Sequence, residues 1–143
     1  MNDTTVLLVD DEEEFVSVLA ERLEARGLKV DTAGNGEIAL EKAGAKEYDA
    51  ILLDMAMPGM DGSETLKRLL EINPRLQVIL LTGQSNLGQA VEAMKQGALD
   101  FLEKPADIET LVARIETAAT KKTKLEDQHI EQRLSDIMRK KGW

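Results

Sequence analysis

Four apolar runs in this chain each stop at residues that could do chemistry. Ile51-Leu52-Leu53 ends in one carboxylate, Asp54, and a loop punctuated by Pro58, Gly59 and Gly62 follows. Thr5 to Val9 ends in Asp10-Asp11, Gln77 to Leu81 in Thr82-Gly83, and Ala98 to Leu102 in Glu103-Lys104-Pro105. Brought together, three carboxylates repel, and burial sharpens the repulsion. A hard divalent cation with oxygen ligands, Mg²⁺ above all, relieves it. A hydroxyl and a glycine N–H can donate to an oxyanion, and a lysine is a point charge that pairs with phosphate. That set suits phosphoryl transfer, with Asp54 attacking in line while cation, lysine and hydroxyl neutralise the moving group. Each residue also has a plainer reading. Asp10-Asp11 alone could cap the next helix, Thr82 could be an ordinary strand end, and Lys104 a surface charge.

The chemistry requires the four runs to be strands of one sheet with their carboxyl ends side by side. Runs of four to eight apolar residues closed by turn signals read as strands buried on both faces. Between them lie helical patterns. Glu12 to Arg26 carries Phe15, Val18, Leu19 and Leu23 and stops at Gly27. Leu28 to Thr32 reads as a further strand, Gly34-Asn35-Gly36 as a turn and Glu37 to Ala45 as a short helix. Ser63 is the expected N-cap of a helix with Leu66, Leu69 and Leu70 that Asn73-Pro74 ends. Asn86 to Gln96 and Asp107 to about Thr120 complete five βα units. Alternating strands and helices predict an α/β, doubly wound, five-stranded parallel sheet. Right-handed crossovers favour the flavodoxin-like strand order 2-1-3-4-5. Its switch point lies between strands one and three, which places Asp10, Asp11 and Asp54 at one crevice.

Length and composition agree with this. The chain has 143 residues, enough for one domain with an ordinary core. It has no cysteine, so disulfides, thiolate metal sites and cysteine nucleophiles are excluded. No apolar run approaches the roughly 20 residues of a membrane span, and no secretory signal is visible. A cytoplasmic location is expected. The net charge is −9, and the last 23 residues carry seven Lys or Arg against four Asp or Glu, so the body is more acidic still. Such a body argues against non-specific nucleic-acid binding.

At these residues the sequence resembles a receiver domain of bacterial two-component response regulators, of the chemotaxis-regulator-like fold. Asp10-Asp11, Asp54, Pro58 with Asp61-Gly62, Thr82-Gly83 and Lys104-Pro105 match the family pattern in order and spacing. The match covers residues 4–120, read as a receiver domain, with 121–143 as a C-terminal helical extension. The resemblance implies that Asp54 accepts a phosphoryl group from a sensor histidine kinase or a small donor such as acetyl phosphate. It implies Mg²⁺ (or Mn²⁺) held by Asp11, Asp54 and the backbone carbonyl of Ala56, with Asp10 acting through water. Lys104 would pair with the phosphoryl group, and its bond to Pro105 is expected to be cis. Thr82 and Phe101 would act as a switch pair, although Phe101 also reads as a plain core aromatic. Ala56 and Gln84 occupy positions that vary in the family and affect phosphoryl lifetime.

The chain is then not an enzyme toward other substrates; it catalyses only its own phosphorylation and dephosphorylation. An aspartate-based phosphatase of the haloacid dehalogenase type would want a second acid where Ala56 stands. A pseudo-receiver, acting as a phosphorylation-independent interaction module, is the alternative. The implied output surface is helix four, strand five and helix five, toward an unknown downstream protein, with no membrane and no direct DNA binding.

After Thr120 the helical pattern continues, with Ile130, Leu134, Ile137 and Met138 on one face. About 23 residues is too short for a separate DNA-binding unit. An extended last helix, a partner-docking helix, a linker and a solvated tail are all consistent with it. A homodimer through helix 4–strand 5–helix 5 or through this C-terminal helix is one expectation. His129, the only histidine, reads as a surface residue rather than a relay site.

Overall fold

The structure, a computed structural model, describes residues 3–57, 60–83 and 87–140. The elements run β1 (Thr5–Val9), α1 (Glu13–Ala25), β2 (Lys29–Ala33), α2 (Gly36–Ala45), β3 (Ala50–Asp54), α3 (Gly62–Ile72), β4 (Val78–Thr82), α4 (Leu87–Gln96), β5 (Asp100–Glu103) and α5 (Ile108–Lys140). The five strands form one sheet in the order β2-β1-β3-β4-β5, and every neighbouring pair is parallel. This is the predicted order. Pro58, Gly59, Gln84, Asn86 and Lys141, to which the sequence reading gave parts, lie outside the described residues.

The central strands β3 and β4 are buried at every position, and β1 at all but Thr5, because helices cover both faces of the sheet. Alternate side chains divide the core in two. Leu7, Val9, Ile51, Leu53, Val78 and Leu80 pack under α2, α3 and α4. Val6, Leu8, Leu52, Ile79 and Leu81 pack under α1 and α5 with Leu19, Leu23, Leu111 and Ile115. Val18, expected on the apolar face of α1, is instead 51% exposed. Among the described residues no helix is long and apolar enough to cross a membrane.

Polar fasteners hold the far end of the sheet. The Tyr48 ring is buried, and its hydroxyl donates to Asp31 Oδ2 at 2.8 Å, an oxygen that also pairs with Lys46. Burial first, then the hydrogen bond to Asp31 and its charge, push the phenol up from its ordinary value. Tyr48→Phe is expected to cost about 1.5 kcal/mol in urea unfolding, the loss of one hydrogen bond to a charged acceptor. Asp49 accepts from the Thr5 N–H at 2.8 Å and faces the buried Lys122 of α5 at 3.8 Å.

One start signal differs from expectation. The α3 N-cap is Asp61, whose carboxylate accepts from the Glu64 N–H at 2.9 Å; Ser63 lies inside the first turn. The last helix continues past Thr120, as the predicted C-terminal helical extension requires. It runs unbroken for 33 residues, so residues 120 and 121 lie within α5.

Candidate functional site

The carboxyl ends of β1, β3, β4 and β5 bring the sequence-predicted residues to one edge. Asp54 is the last residue of β3 and is 4% exposed. Asp10 follows β1 and is equally buried. Lys104 follows β5, and its N–H donates to the Thr82 carbonyl at 2.8 Å, which ties the ends of β4 and β5 together. The Lys104–Pro105 peptide bond is cis.

Lys104 is the hub. Its Nζ lies 2.8 Å from Asp10 Oδ2, 3.5 Å from Asp54 Oδ1 and 3.4 Å from Glu12 Oε1. It also sits 4.5 Å from the centroid of the Phe15 ring, a cation–π contact. Burial alone would lower the ammonium. The hydrogen bond to Asp10 and the charges of Asp10, Asp54 and Glu12 outweigh it and hold Lys104 above its ordinary value. Asp54 is pushed up from the usual carboxylate range, first by burial. The Ala56 N–H, which donates to Asp54 Oδ1 at 3.2 Å, works the other way. Repulsion from Asp10 adds to the rise, and Lys104 opposes it. A raised, half-compensated carboxylate is a group poised to gain from a cation.

Asp10 uses both of its oxygens. One oxygen accepts from the Glu12 N–H at 3.0 Å at the start of α1, while the other holds Lys104. That bond is a local turn ahead of α1, whose N-cap Glu12 makes no side-chain capping bond, so Asp10 serves the site rather than capping the helix. Asp11 is exposed and lines a hollow with Glu13, Ser17, Thr32 and Gly34, on the β2 side of the crevice. The acids that gather are Asp10, Glu12 and Asp54, with one oxygen from each within 4.8 Å of the others. Three hard oxygen donors gathered in this way are of the chemical type that could hold a divalent cation such as Mg²⁺. Asp11, to which the resemblance gives direct ligation, is not among the clustered acids. Glu12 was not singled out in the sequence. Its signal was adjacency to the acid pair, with a side chain long enough to fold back over it.

Thr82 is fully buried, and its hydroxyl donates to the Gly83 carbonyl at 3.0 Å. Phe101 is partly buried against the core layer beneath α4, on the same side as Leu80. Ala56 is exposed and follows Asp54 by two residues.

Gly62 fixes the back of the site. A Cβ there would stand 2.7 Å from Met55 Cα and 3.1 Å from the Asp54 carbonyl oxygen. Both are backbone atoms and cannot swing away. Alanine normally favours a helix over glycine by about 1 kcal/mol. Gly62→Ala is nonetheless expected to destabilise the fold by about 2 kcal/mol, through overpacking against β3, as measured by thermal unfolding.

Comparison with known proteins agrees with this arrangement. The family model of the response regulator receiver domain matches residues 6–116. The transcriptional regulatory protein ZraR of Klebsiella oxytoca is 43% identical over 106 residues, which is 74% of this chain and 24% of that protein. The chain therefore spans about a quarter of the length of such curated relatives. A response regulator receiver domain protein from Clostridium thermocellum superposes with a TM-score of 0.80 at 31% identity, over 85% of this chain and 98% of that one. A Rhodopirellula baltica chain described as an adenylate cyclase gives a TM-score of 0.86 at 28% identity, over 92% of this chain and 98% of that one. A family match that runs from the second residue of β1 into α5, with every strand end of the crevice inside it, shows that this chain belongs to the response regulator receiver domain family.

Proposed function

We propose that the chain is a phosphorylation-controlled switch in which Asp54 accepts a phosphoryl group and a protein-binding face responds. The observation that carries this reading is the buried Asp54 carboxylate with the Lys104 ammonium 3.5 Å away and Asp10 beside it. The donor is the phosphohistidine of a sensor histidine kinase, or a small acyl phosphate. An Asp54 oxygen forms the new O–P bond while the P–N bond of phosphohistidine, or the P–O bond of acetyl phosphate, breaks. The electron pair leaves with the imidazole or the acetate. Lys104, already within reach of Asp54, meets the charge of the arriving phosphoryl oxygens. Hydrolysis of the acyl phosphate by water resets Asp54.

Bound Mg²⁺ (or Mn²⁺) supplies charge neutralisation at the acidic cluster. Asp10, Asp54 and Glu12 are the carboxylates gathered to hold it, and Asp11 and the Ala56 carbonyl complete the set implied by the family. The Thr82 hydroxyl leaves the Gly83 carbonyl for a phosphoryl oxygen, and Phe101 moves with it. The responding face is then α4, β5 and α5, offered to a downstream protein in the cytoplasm. Because only Asp54 itself is modified, other phosphoesters are not turned over.

The test is incubation with Mg²⁺ and acetyl phosphate, followed by intact-mass measurement. A hydroxylamine-sensitive adduct that is absent in Asp54→Asn, together with inertness toward p-nitrophenyl phosphate, is expected. No adduct, with no beryllofluoride binding either, would mean a pseudo-receiver whose contacts are independent of phosphorylation.

A further inference from the structure

Phe15 stands where it can act on Lys104 without touching the reacting atoms. It belongs to the first turn of α1, three residues after the N-cap Glu12. The ring is partly buried and packs on the half of the core under α1 and α5. Its centroid lies 4.5 Å from Lys104 Nζ. The other cation–π pair among the described residues, Lys46 with Tyr48, is longer at 5.6 Å. The Lys46 side chain is 53% exposed, against 19% for Lys104. Attraction between an ammonium and a ring face grows as the two leave water, so the contact at Lys104 is the stronger one.

The donors of Lys104 show what a ring adds there. An ammonium has three N–H donors. Two are spent on oxygens, at 2.8 Å on Asp10 Oδ2 and at 3.4 Å on Glu12 Oε1. Asp54 Oδ1, at 3.5 Å, is near enough for charge attraction but takes no hydrogen bond. A ring holds a cation through the quadrupole of its whole face and commits no particular N–H. An oxygen-bearing side chain in place of Phe15 would take the third donor. A leucine would leave that donor free but would offer the ammonium no attraction on its side. The Glu12 side chain, 65% exposed, would then draw the ammonium outward.

We infer that Phe15 is a positioning residue for Lys104: its ring face fixes the ammonium at the crevice and leaves one N–H for the oxygens of a phosphoryl group arriving at Asp54. The inference rests on the phosphoryl-acceptor reading above. Phe15 itself meets neither the phosphoryl group nor a metal ion. It gives α1 a part in the reaction that is separate from the carboxylates.

The charge of the ring face can be changed with almost no change of shape. The full chain is made with mono-, di- and trifluorinated phenylalanine at position 15 alone, which withdraws electron density from the face step by step. With Mg²⁺ and acetyl phosphate, the rate of adduct formation by intact mass should fall along the series, by about fivefold at the trifluorinated ring. Phe15→Leu should be slowed about as much. The contact is read separately in EDTA without phosphodonor. Trifluorination should raise the urea-unfolding equilibrium constant about fivefold in the otherwise wild-type chain. It should leave that constant unchanged in Lys104→Met, which keeps the stem and removes the charge.

A rate that falls in Phe15→Leu but is flat across the fluorinated series would make Phe15 a packing residue and overturn the inference. So would an unfolding constant that responds to fluorination equally with and without the ammonium. No adduct in the wild-type chain would overturn the phosphoryl-acceptor reading, and the role of Phe15 in the reaction with it. A flat series on a chain that does take the phosphoryl group strikes the inference alone, so the two failures are told apart.

Discussion

Lys104→Ala is expected to destabilise the metal-free protein at pH 7 by about 3 kcal/mol. The side chain is 19% exposed and is the cation that faces both buried carboxylates, Asp10 and Asp54. Removing one member of a buried charge cluster leaves the others uncompensated, and that penalty exceeds the net contribution of the cluster when intact. The sign with pH follows. The loss belongs to the ionised carboxylates, so it is largest at neutral pH. It shrinks as pH falls through the raised range of Asp54, because a protonated carboxyl needs no cation. Mg²⁺ should recover part of it by supplying the missing positive charge. Urea unfolding at pH 7 and pH 4.5, with EDTA and then with Mg²⁺, measures all three effects. A loss that did not change with pH would mean that Lys104 contributes through the packing of its stem on Phe15 rather than through charge.

Asp54→Asn should act in the opposite direction on stability while abolishing the phosphoryl adduct. Burial holds the Asp54 carboxyl above its unfolded value. The wild-type protein therefore has the full contribution of this group below the ordinary carboxylate range and loses it as pH rises through the raised value. The amide keeps an acceptor for the Ala56 N–H and removes the charge that repels Asp10. A gain of about 1–2 kcal/mol is expected at neutral pH in EDTA, closing to nothing on acidification. The pair of variants separates function from architecture. The residue proposed to carry the chemistry is expected to weaken the resting fold, and the residue that restrains it to strengthen the fold. If Asp54→Asn were destabilising at every pH, the carboxylate would be a structural member of the cluster rather than a strained one.

The strand ends were readable in the sequence because each is a change in residue type at a fixed place. An apolar run buried on both faces leaves no ambiguity of period, and the next polar residue marks the rim. Asp54, Thr82 and Lys104 were found in this way, and the strand order that joins them followed from crossover handedness. Glu12 and Phe15 were not found as parts of the site. Both belong to the start of α1 and reach the crevice only because Lys104, remote in sequence, extends back to them. Local pattern carries no trace of such a contact. The cap at Asp61 was missed for a related reason. Asp61 and Ser63 are both capping types, and the choice between them is settled by Gly62, which must pack against the backbone of Met55 and Asp54. Val18 follows Phe15 by three residues, but at about 100° per residue it is turned about 140° from Leu23, and α1 covers the sheet with too narrow a stripe to bury it.

The strands are not equally stiff. β3 and β4 have no exposed residue and β1 has one partly exposed end, while β5 has four residues, none of them buried, at the rim of the sheet. Local opening costs least where few apolar contacts must be broken. The amide protons of Phe101 and Leu102 should therefore exchange with solvent well before those of Leu52 or Leu80. The strand that leads directly into Lys104 is the most compliant of the sheet, so a disturbance of that lysine is transmitted into the part of the molecule that resists it least. The central strands serve as the fixed frame against which such a displacement is felt.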